Sequence, residues 1–282
     1  MADLSNRALL VTLNISQWTA RKLDKRESAE VNAKHGASVD AARVNKSLLP
    51  MSKSLDRVHK LTGAIRNEYY QMSLPWMEGQ QIIKSEGYMG FAQHMSRRKM
   101  EWENAVEDFL TSYHDSVVDA QYLLGTMFNN DDYPPASTLR SKFRMDIGFY
   151  PVPNAQDWRV DMADDEMRKL QERITADVTA RQTEAMQSAW QRVHGVVSKM
   201  HERLAKPDNI FRDSLVENAR ELCAILPSLN IADDAKLEAV RQEIEYSLSG
   251  LQADDLRKYP EVREEVADQM ADILAKMGGL YE

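Results

Sequence analysis

The chain has 282 residues, of which 43% are hydrophobic and 28% charged, and its formal net charge is -8. This length allows one large or two ordinary domains whose core needs no disulfide or metal to hold it. The single cysteine, Cys223, excludes an internal disulfide framework, and the net negative charge disfavours a protein that coats nucleic-acid phosphates.

The charge is unevenly distributed along the chain. Residues 1–100 contain 16 Lys+Arg and 9 Asp+Glu, whereas the remainder contains 20 and 35. The two parts are therefore expected to face different partners, or each other in neighbouring copies of a homo-oligomer.

The opening residues lack the pattern of a signal peptide. No stretch approaches the roughly 18 consecutive apolar residues that a membrane span requires. The sequence therefore predicts a soluble, cytoplasmic protein that does not contact a membrane.

Alternation and helical spacing predict elements in the first half. Val11, Leu13 and Ile15 alternate with polar residues and predict a strand over residues 8–16. Ser38 is expected to cap a helix. Apolar residues at intervals of three and four predict a helix from Met51, broken before Leu74-Pro75-Trp76, with these positions on one face: Leu55, Val58, Thr62, Ile65 and Tyr69.

A strand, a long helix and a second strand are predicted next. The first strand covers residues 80–85, and an amphipathic stretch follows over 88–124. Turn residues dominate 125–160, but 143–150 alternates as a strand. This strand is expected to pair with the strands near residues 10 and 82 in a small mixed sheet.

From residue 163 the pattern is almost wholly helical. A first helix begins at acidic residues that include Asp161 and Asp164–Glu166, and it ends at Lys206–Asp208. Its apolar seam steps by four and three residues and requires a partner helix: Met186, Trp190, Val193, Val197, Met200 and Leu204.

Three further helices complete the predicted C-terminal half. Ser214 and Glu217 form a capping box for a helix that stops near Leu226-Pro227. Two more cover 233–248 and 260–277, the last closed by Gly278-Gly279. The predicted fold is mainly α, with a mixed α+β basic region over residues 1–160 and an acidic helical bundle or coiled coil over 161–282.

Motifs for catalysis or cofactor binding are lacking. The chain has no phosphate-binding glycine loop, and its six histidines have no metal-ligand spacing. Cys223 lies in an apolar run and is interpreted as a small buried side chain. The acidic groups Asp131-Asp132 and Asp164-Asp165-Glu166 suit a turn and a helix start, so no catalytic, cofactor or metal residue is assigned.

Basic residues form the one set that suggests binding. A first group, Arg21, Lys22, Lys25 and Arg26, follows directly after Trp18. Lys46, Lys53, Arg57 and Lys60 are spaced as on one helical face, and Arg97-Arg98-Lys99 adds a third group. With an aromatic side chain, converging cations could bind single-stranded nucleic acid. Alternatively they form a solvated face or dock on the acidic half of another subunit. The candidate binding residues are Trp18, Arg21, Lys22, Lys25, Arg26, Lys53, Arg57 and Lys60.

Several blocks in order carry a family resemblance: Leu13–Lys25, Leu74–Trp76, Phe149–Pro153 and Phe211–Asn218. Together they resemble a family of uncharacterised proteins from tailed bacteriophages and prophage-bearing bacteria. The family brings no established activity. Its genes often lie near those of a MoxR-type ATPase and a von Willebrand factor A-like protein, which implies an adaptor or substrate of such a machine in the infected host cell.

The leading functional hypothesis is a non-enzymatic phage protein that oligomerises or bridges partners through long helices. The alternative is single-stranded nucleic acid binding through the basic half. A hydrolase or nuclease that uses Asp131 and Asp132 ranks last.

Overall fold

A computed structural model describes residues 4–155 and 164–278. The protein is mainly helical with a small sheet in its N-terminal half, as the sequence predicts. Two compact units share the chain. Unit 1 comprises Met1–Thr12, Glu68–Ala92 and Gly148–Glu282, and unit 2 comprises Leu13–Asn67 and Gln93–Ile147.

The described elements alternate between the two units. The strands are β1 (Ala8–Ser16), β2 (Arg21–Asp24), β3 (Val44–Ser47), β4 (Leu74–Met77), β5 (Gln80–Lys84) and β6 (Arg144–Pro151). The helices are α1 (Lys25–Lys34), α2 (Lys53–Gln71), α3 (Tyr88–Thr111), α4 (Tyr113–Leu124), α5 (Ala136–Leu139), α6 (Asp164–Leu204), α7 (Ser214–Leu229), α8 (Ala235–Ser247), α9 (Ala253–Lys258) and α10 (Pro260–Met277).

The unit division differs from the predicted boundary at residue 160. It falls within β1, α2, α3 and β6, so each unit combines separate stretches of the chain. The reason in unit 1 is that N-terminal strands pack on C-terminal helices, with β4 against α6 and β5 against α7. The composition of a sequence contains no information on such packing between distant segments.

The four-stranded sheet has the order β4-β5-β1-β6. Its strands are antiparallel, whereas the sequence predicts a mixed sheet. Leu10 of β1 lies opposite Ile82 of β5, and both are buried. The strand predicted near residue 146 is confirmed as β6, and its sheet neighbour is β1 alone.

Strand β4 occupies the residues that the sequence assigns to a helix break. Leu74 and Trp76 are buried while Pro75 between them is exposed. This alternation is that of a strand with one buried face, and β4 lies at the sheet edge, where proline costs no ladder hydrogen bond.

The long helix α6 confirms the predicted apolar seam. All six seam residues, from Met186 to Leu204, are buried. The required partner is α10, whose buried side includes Val266, Met270 and Ile273. Asp164 to Glu166 lie in the first turn, as predicted, and Asp161 lies outside the described residues.

Several predicted helix ends are wrong. The stretch over 88–124 divides at Ser112 into α3 and α4. Ser214 is the first residue of α7, and the N-cap Asp213 has no capping hydrogen bond, so the capping box is absent. Pro227 lies inside α7, whose last turn continues because the Asn230 N–H donates to the Leu226 carbonyl (3.0 Å).

The predicted helix start at Ser38 is also wrong. This residue lies in a turn, and the preceding helix α1 is capped by Asp24, which accepts from the Glu27 N–H (3.1 Å). The sequence pattern does not predict helix α1, because its buried residues, Ser28 and Asn32, are polar. An apolar periodicity therefore never arises.

None of the helices described here is long and apolar enough to cross a membrane.

Candidate interaction surface

Residues 21–47 form a continuous segment of unit 2 that we call the basic arm. It consists of β2, α1 and β3, and β2 pairs antiparallel with β3. Seven Lys+Arg and four Asp+Glu give the arm a net charge of +3. The structure describes this range throughout, and no apolar side chain in it is buried. Polar contacts must therefore hold the arm in place.

Hydrogen bonds from two buried polar side chains attach α1 to the rest of the arm. The Ser28 hydroxyl donates to the Asp24 carbonyl (2.5 Å) and accepts from the Val44 N–H (2.9 Å). The Asn32 amide bonds both the N–H and the carbonyl of Ala42 (2.9 and 3.1 Å). These bonds replace the apolar packing that usually fixes a surface helix.

The base of the arm carries a charge cluster that we call the ionic lock, formed by the exposed Lys22 and the more enclosed Asp24, Lys46 and Asp132. Lys46 Nζ lies 2.8 Å from Asp132 Oδ2 and 3.4 Å from Asp24 Oδ2. It also donates to the Met127 carbonyl (2.7 Å), so each of its three protons has an acceptor. Lys22 bonds the other oxygen of Asp132. The Lys46 and Asp132 side chains are only 8% and 3% exposed.

The lock stabilises the charged forms of Lys46, Asp132 and Asp24. The hydrogen bond from Lys46 to Asp132 raises the pKa of Lys46, although burial acts in the opposite direction. Burial disfavours the charge of Asp132, but hydrogen bonds from Lys22 and Lys46 hold its pKa below the ordinary value of 3.8. The Glu27 N–H lowers the pKa of Asp24, with a further contribution from Lys46.

These shifts predict that acid releases the arm. A lowered carboxylate pKa gives stability that is present above 3.8 and lost as the pH falls through the folded value, whereas the raised pKa of Lys46 matters only in strong alkali. Amide NMR shifts of Ala42 and Val44 should move to random-coil positions in acid before those of α2. Arm shifts that persist until all of unit 2 unfolds would contradict this expectation.

The structure places all of the sequence-predicted binding residues in unit 2, on three elements and the segment before the arm. Arg21 and Lys22 lie on β2, and Lys25 and Arg26 lie in the first turn of α1. The remaining cations, Lys53, Arg57 and Lys60, share a face of α2.

Ion pairs occupy part of this set. Lys22 pairs with Asp132, and Arg57 lies 2.8 Å from Asp108 of α3. The other five cations are exposed, and their side chains have no hydrogen bond or ion pair among the residues that the structure describes: Arg21, Lys25, Arg26, Lys53 and Lys60.

Trp18 is half-buried in an aromatic cluster. Its ring centroid lies 6.4 Å from that of Phe109 and 5.9 Å from that of Tyr113. The His59 ring bonds the Trp18 carbonyl (3.1 Å), which fixes the segment alongside α2. Only the remaining part of the indole could stack on a base.

The sequence alone does not predict that Lys46 and Asp132 form a buried ion pair. Lys46 belongs to β3 and not to the helical face shared by Lys53 and Lys60. A period of two in Val44-x-Lys46-x-Leu48 was the available signal that Lys46 points inward. The sequence predicts Asp132 as a turn residue, and it does lie in a short 3-10 turn, but its side chain binds the two lysines.

Unit 1 presents an acidic row on α10. Its members recur on the helix side opposite the buried residues, are exposed, and have no ion pair within the described ranges: Glu261, Glu264, Glu265, Asp268 and Asp272. Like charges at intervals of three and four residues destabilise a helix by about 0.2–0.5 kcal/mol per pair. The row therefore favours a cationic partner.

The other candidate groups show no arrangement for chemistry. Asp131 is exposed, and Cys223 is buried, which raises the pKa of its thiol to about 11. In the ranges 4–155 and 164–278, no three His, Cys, Asp or Glu side chains come together as a metal site. Comparisons with protein-family models, curated proteins and solved structures found no match to this chain.

Proposed function

We propose that this is a non-enzymatic interaction protein that assembles through charge-complementary surfaces, with the basic arm of one copy meeting an acidic helical surface of another. The observation that carries the proposal is the arm itself. It buries no apolar side chain, yet the ionic lock holds it in one conformation.

Ordering such a segment has a cost that its own contacts hardly offset. Fixing a backbone residue costs about 1–2 kcal/mol in conformational entropy, and the arm gains no hydrophobic burial in return. What the ordered arm does present is a set of exposed cations, including Arg21, Lys25 and Arg26. Presenting charge to a partner is the role that fits this arrangement.

The charges of the two units are complementary. Unit 2 contains 17 Lys+Arg and 14 Asp+Glu, whereas unit 1 contains 19 and 30. Complementary potentials speed encounter and select partners, and salt weakens them when the charges are exposed. Self-association should therefore depend on salt.

The test is sedimentation velocity and light scattering between about 50 mM and 1 M salt, over which the screening length falls severalfold. The wild type should form a defined oligomer that dissociates as salt rises. Lys25→Glu/Arg26→Glu should raise the dissociation constant by about tenfold or more at low salt. A monomer at all salts would overturn the proposal.

The arm variant has a matched control and should remain folded. Lys25 and Arg26 lie in the first turn of α1, where glutamate interacts favourably with the helix dipole. Arg97→Glu/Lys142→Glu makes the same change in charge at exposed positions of unit 2 outside the arm. This control should associate as the wild type does, and an equal loss would mean that net charge alone matters.

Single-stranded nucleic acid binding is the second candidate, because five exposed cations of unit 2 are unpaired in the described structure. The burial of Trp18 against Phe109 and net charge both weigh against it. Fluorescence anisotropy with a labelled oligothymidine decides this: binding at low salt that Lys25→Glu/Arg26→Glu weakens supports it, and no binding removes it.

The phage-family resemblance adds the wider setting of the proposal. It suggests a protein of the infected bacterial cytoplasm, with a MoxR-type ATPase or a host protein as a further partner. Affinity purification from infected cells with nuclease treatment would separate protein partners from nucleic acid.

A further inference from the structure

We infer that the groove between α8 and α10, with its acidic rim, receives the basic arm of a second copy. The inference rests on the proposed function and deepens it, because it names the acceptor surface. Both surfaces belong to the same chain, so the contact is head to tail and forms a ring or an open chain.

The groove offers an apolar floor beside the acidic row. It has a volume of about 550 Å³, and its lining includes Ala239, Tyr246 and Ile273. Tyr246 is 81% exposed, so its ring is open to a docked segment. Asp272 belongs both to the lining and to the acidic row. Glu243 and Lys276 also line the groove and form an ion pair (2.8 Å), so Asp272 supplies the charge of the lining that is unpaired among the described residues and connects the lining to the acidic row.

A buried acceptor in the groove also lacks a donor. Gln269 lines the groove, and its Oε1 is buried without a hydrogen-bond partner among the described residues. Its amide nitrogen is already directed to Glu265 (3.3 Å). An unsatisfied buried acceptor destabilises the free groove, and a donor from a docked segment would satisfy it.

The charge of the rim selects the occupant. A second α10 placed against the groove would set carboxylate against carboxylate, and nucleic acid would be repelled in the same way. A cationic surface with some apolar character fits. The arm has both properties, because Leu23 and Val31 are exposed beside Arg21, Lys25 and Arg26.

The lengths also match. Helix α1 has 10 residues and is therefore about 15 Å long. The acidic row from Glu261 to Asp272 covers about 16 Å of α10. One arm helix can therefore lie along the row, and its cations Lys25, Arg26 and Lys34 outnumber its carboxylates Glu27 and Glu30.

A charge swap tests the pairing. The acceptor variant Asp268→Lys/Asp272→Lys should weaken self-association by about tenfold or more, as the arm variant Lys25→Glu/Arg26→Glu does. Both changes in one chain should restore association. An equimolar mixture of the two single-surface variants should associate in alternation, because both contacts between unlike variants bring opposite charges together, whereas neither variant should associate alone.

A control and a folding check accompany the swap. Glu217→Lys/Glu221→Lys reverses two exposed carboxylates on α7 and should leave association unchanged. Asp268 and Asp272 are one turn apart, so lysines there replace one like-charge pair by another while α10 keeps its buried side. Circular dichroism melts should confirm that each variant is folded.

The outcomes separate the inference from the proposed function. If association depends on the arm but the acceptor variant behaves like the α7 control, the groove is wrong and the proposed function stands. Loss in both single variants without recovery in the swap also overturns the groove. If the wild type never associates, the proposed function itself fails.

Discussion

Replacing Asp132 with alanine should detach the basic arm while the rest of unit 2 stays folded. The change removes the carboxylate that both Lys22 and Lys46 bind, and it leaves the Lys46 ammonium buried with Asp24 at 3.4 Å as its remaining ionic partner. Breaking one side of a buried ion pair costs about 3–5 kcal/mol. The arm has no apolar core to absorb that loss.

Hydrogen exchange is the measurement, because it reports opening residue by residue. Amides over residues 21–47 should exchange much faster in the variant, while those of α3 keep their protection. The neighbouring Asp131→Ala is the control, since Asp131 is exposed. Adding Lys46→Met to Asp132→Ala should recover part of the protection, because no buried charge is then stranded. Equal exchange in the Asp131 and Asp132 variants would disprove the lock.

Removing the guanidinium of Arg263 should cost about 3 kcal/mol of unfolding free energy, since a hydrogen bond to a charged group contributes about 1.5–3 kcal/mol. Arg263 on α10 donates to the carbonyls of Arg203 (2.8 Å) and Leu204 (3.0 Å), the last residues of α6. It also donates to those of Lys206 (2.5 Å) and Asn209 (2.9 Å). It thus satisfies carbonyls that a helix end leaves unpaired.

Urea unfolding of Arg263→Met, followed by circular dichroism, measures this loss. Methionine keeps an unbranched side chain near Phe211, over which the guanidinium lies at 5.3 Å. Arg203→Met is the matched control, because the exposed Arg203 contributes only its backbone carbonyl to this contact. The control should change stability by less than about 0.5 kcal/mol, as surface substitutions usually do. A similar loss in both variants would assign the effect to α6 itself.

Elements with apolar periodicity could be predicted from the sequence. The seam of α6 from Met186 to Leu204 is an example, because burial of a helix stripe imposes that spacing. Strand β1 followed in the same way from the alternation of Val11 and Leu13. The α6 signal reflects burial of one face, whereas β1 also buries Leu10 on the face opposite Val11.

Elements held by polar contacts could not be predicted. Helix α1 buries Ser28 and Asn32, and β3 buries Lys46, so their sequences read as charged surface. For the candidate surface, Arg21, Lys25 and Arg26 are exposed as the sequence suggested. The roles of Lys22 and Lys46 depend on Asp132, about a hundred residues away, and a single sequence does not encode such a pairing visibly.

A backbone hydrogen bond connects the two residues that flank the basic arm, Ala20 and Leu48. The Leu48 N–H donates to the Ala20 carbonyl (2.7 Å), and Ala20 has a left-handed φ of 50° that turns the chain at this point. Both residues are buried, whereas the segment between them buries nothing apolar. Under the proposed function the arm is therefore an insert of unit 2, and exchanging this insert would change the binding preference without any change to the hydrophobic core of the unit.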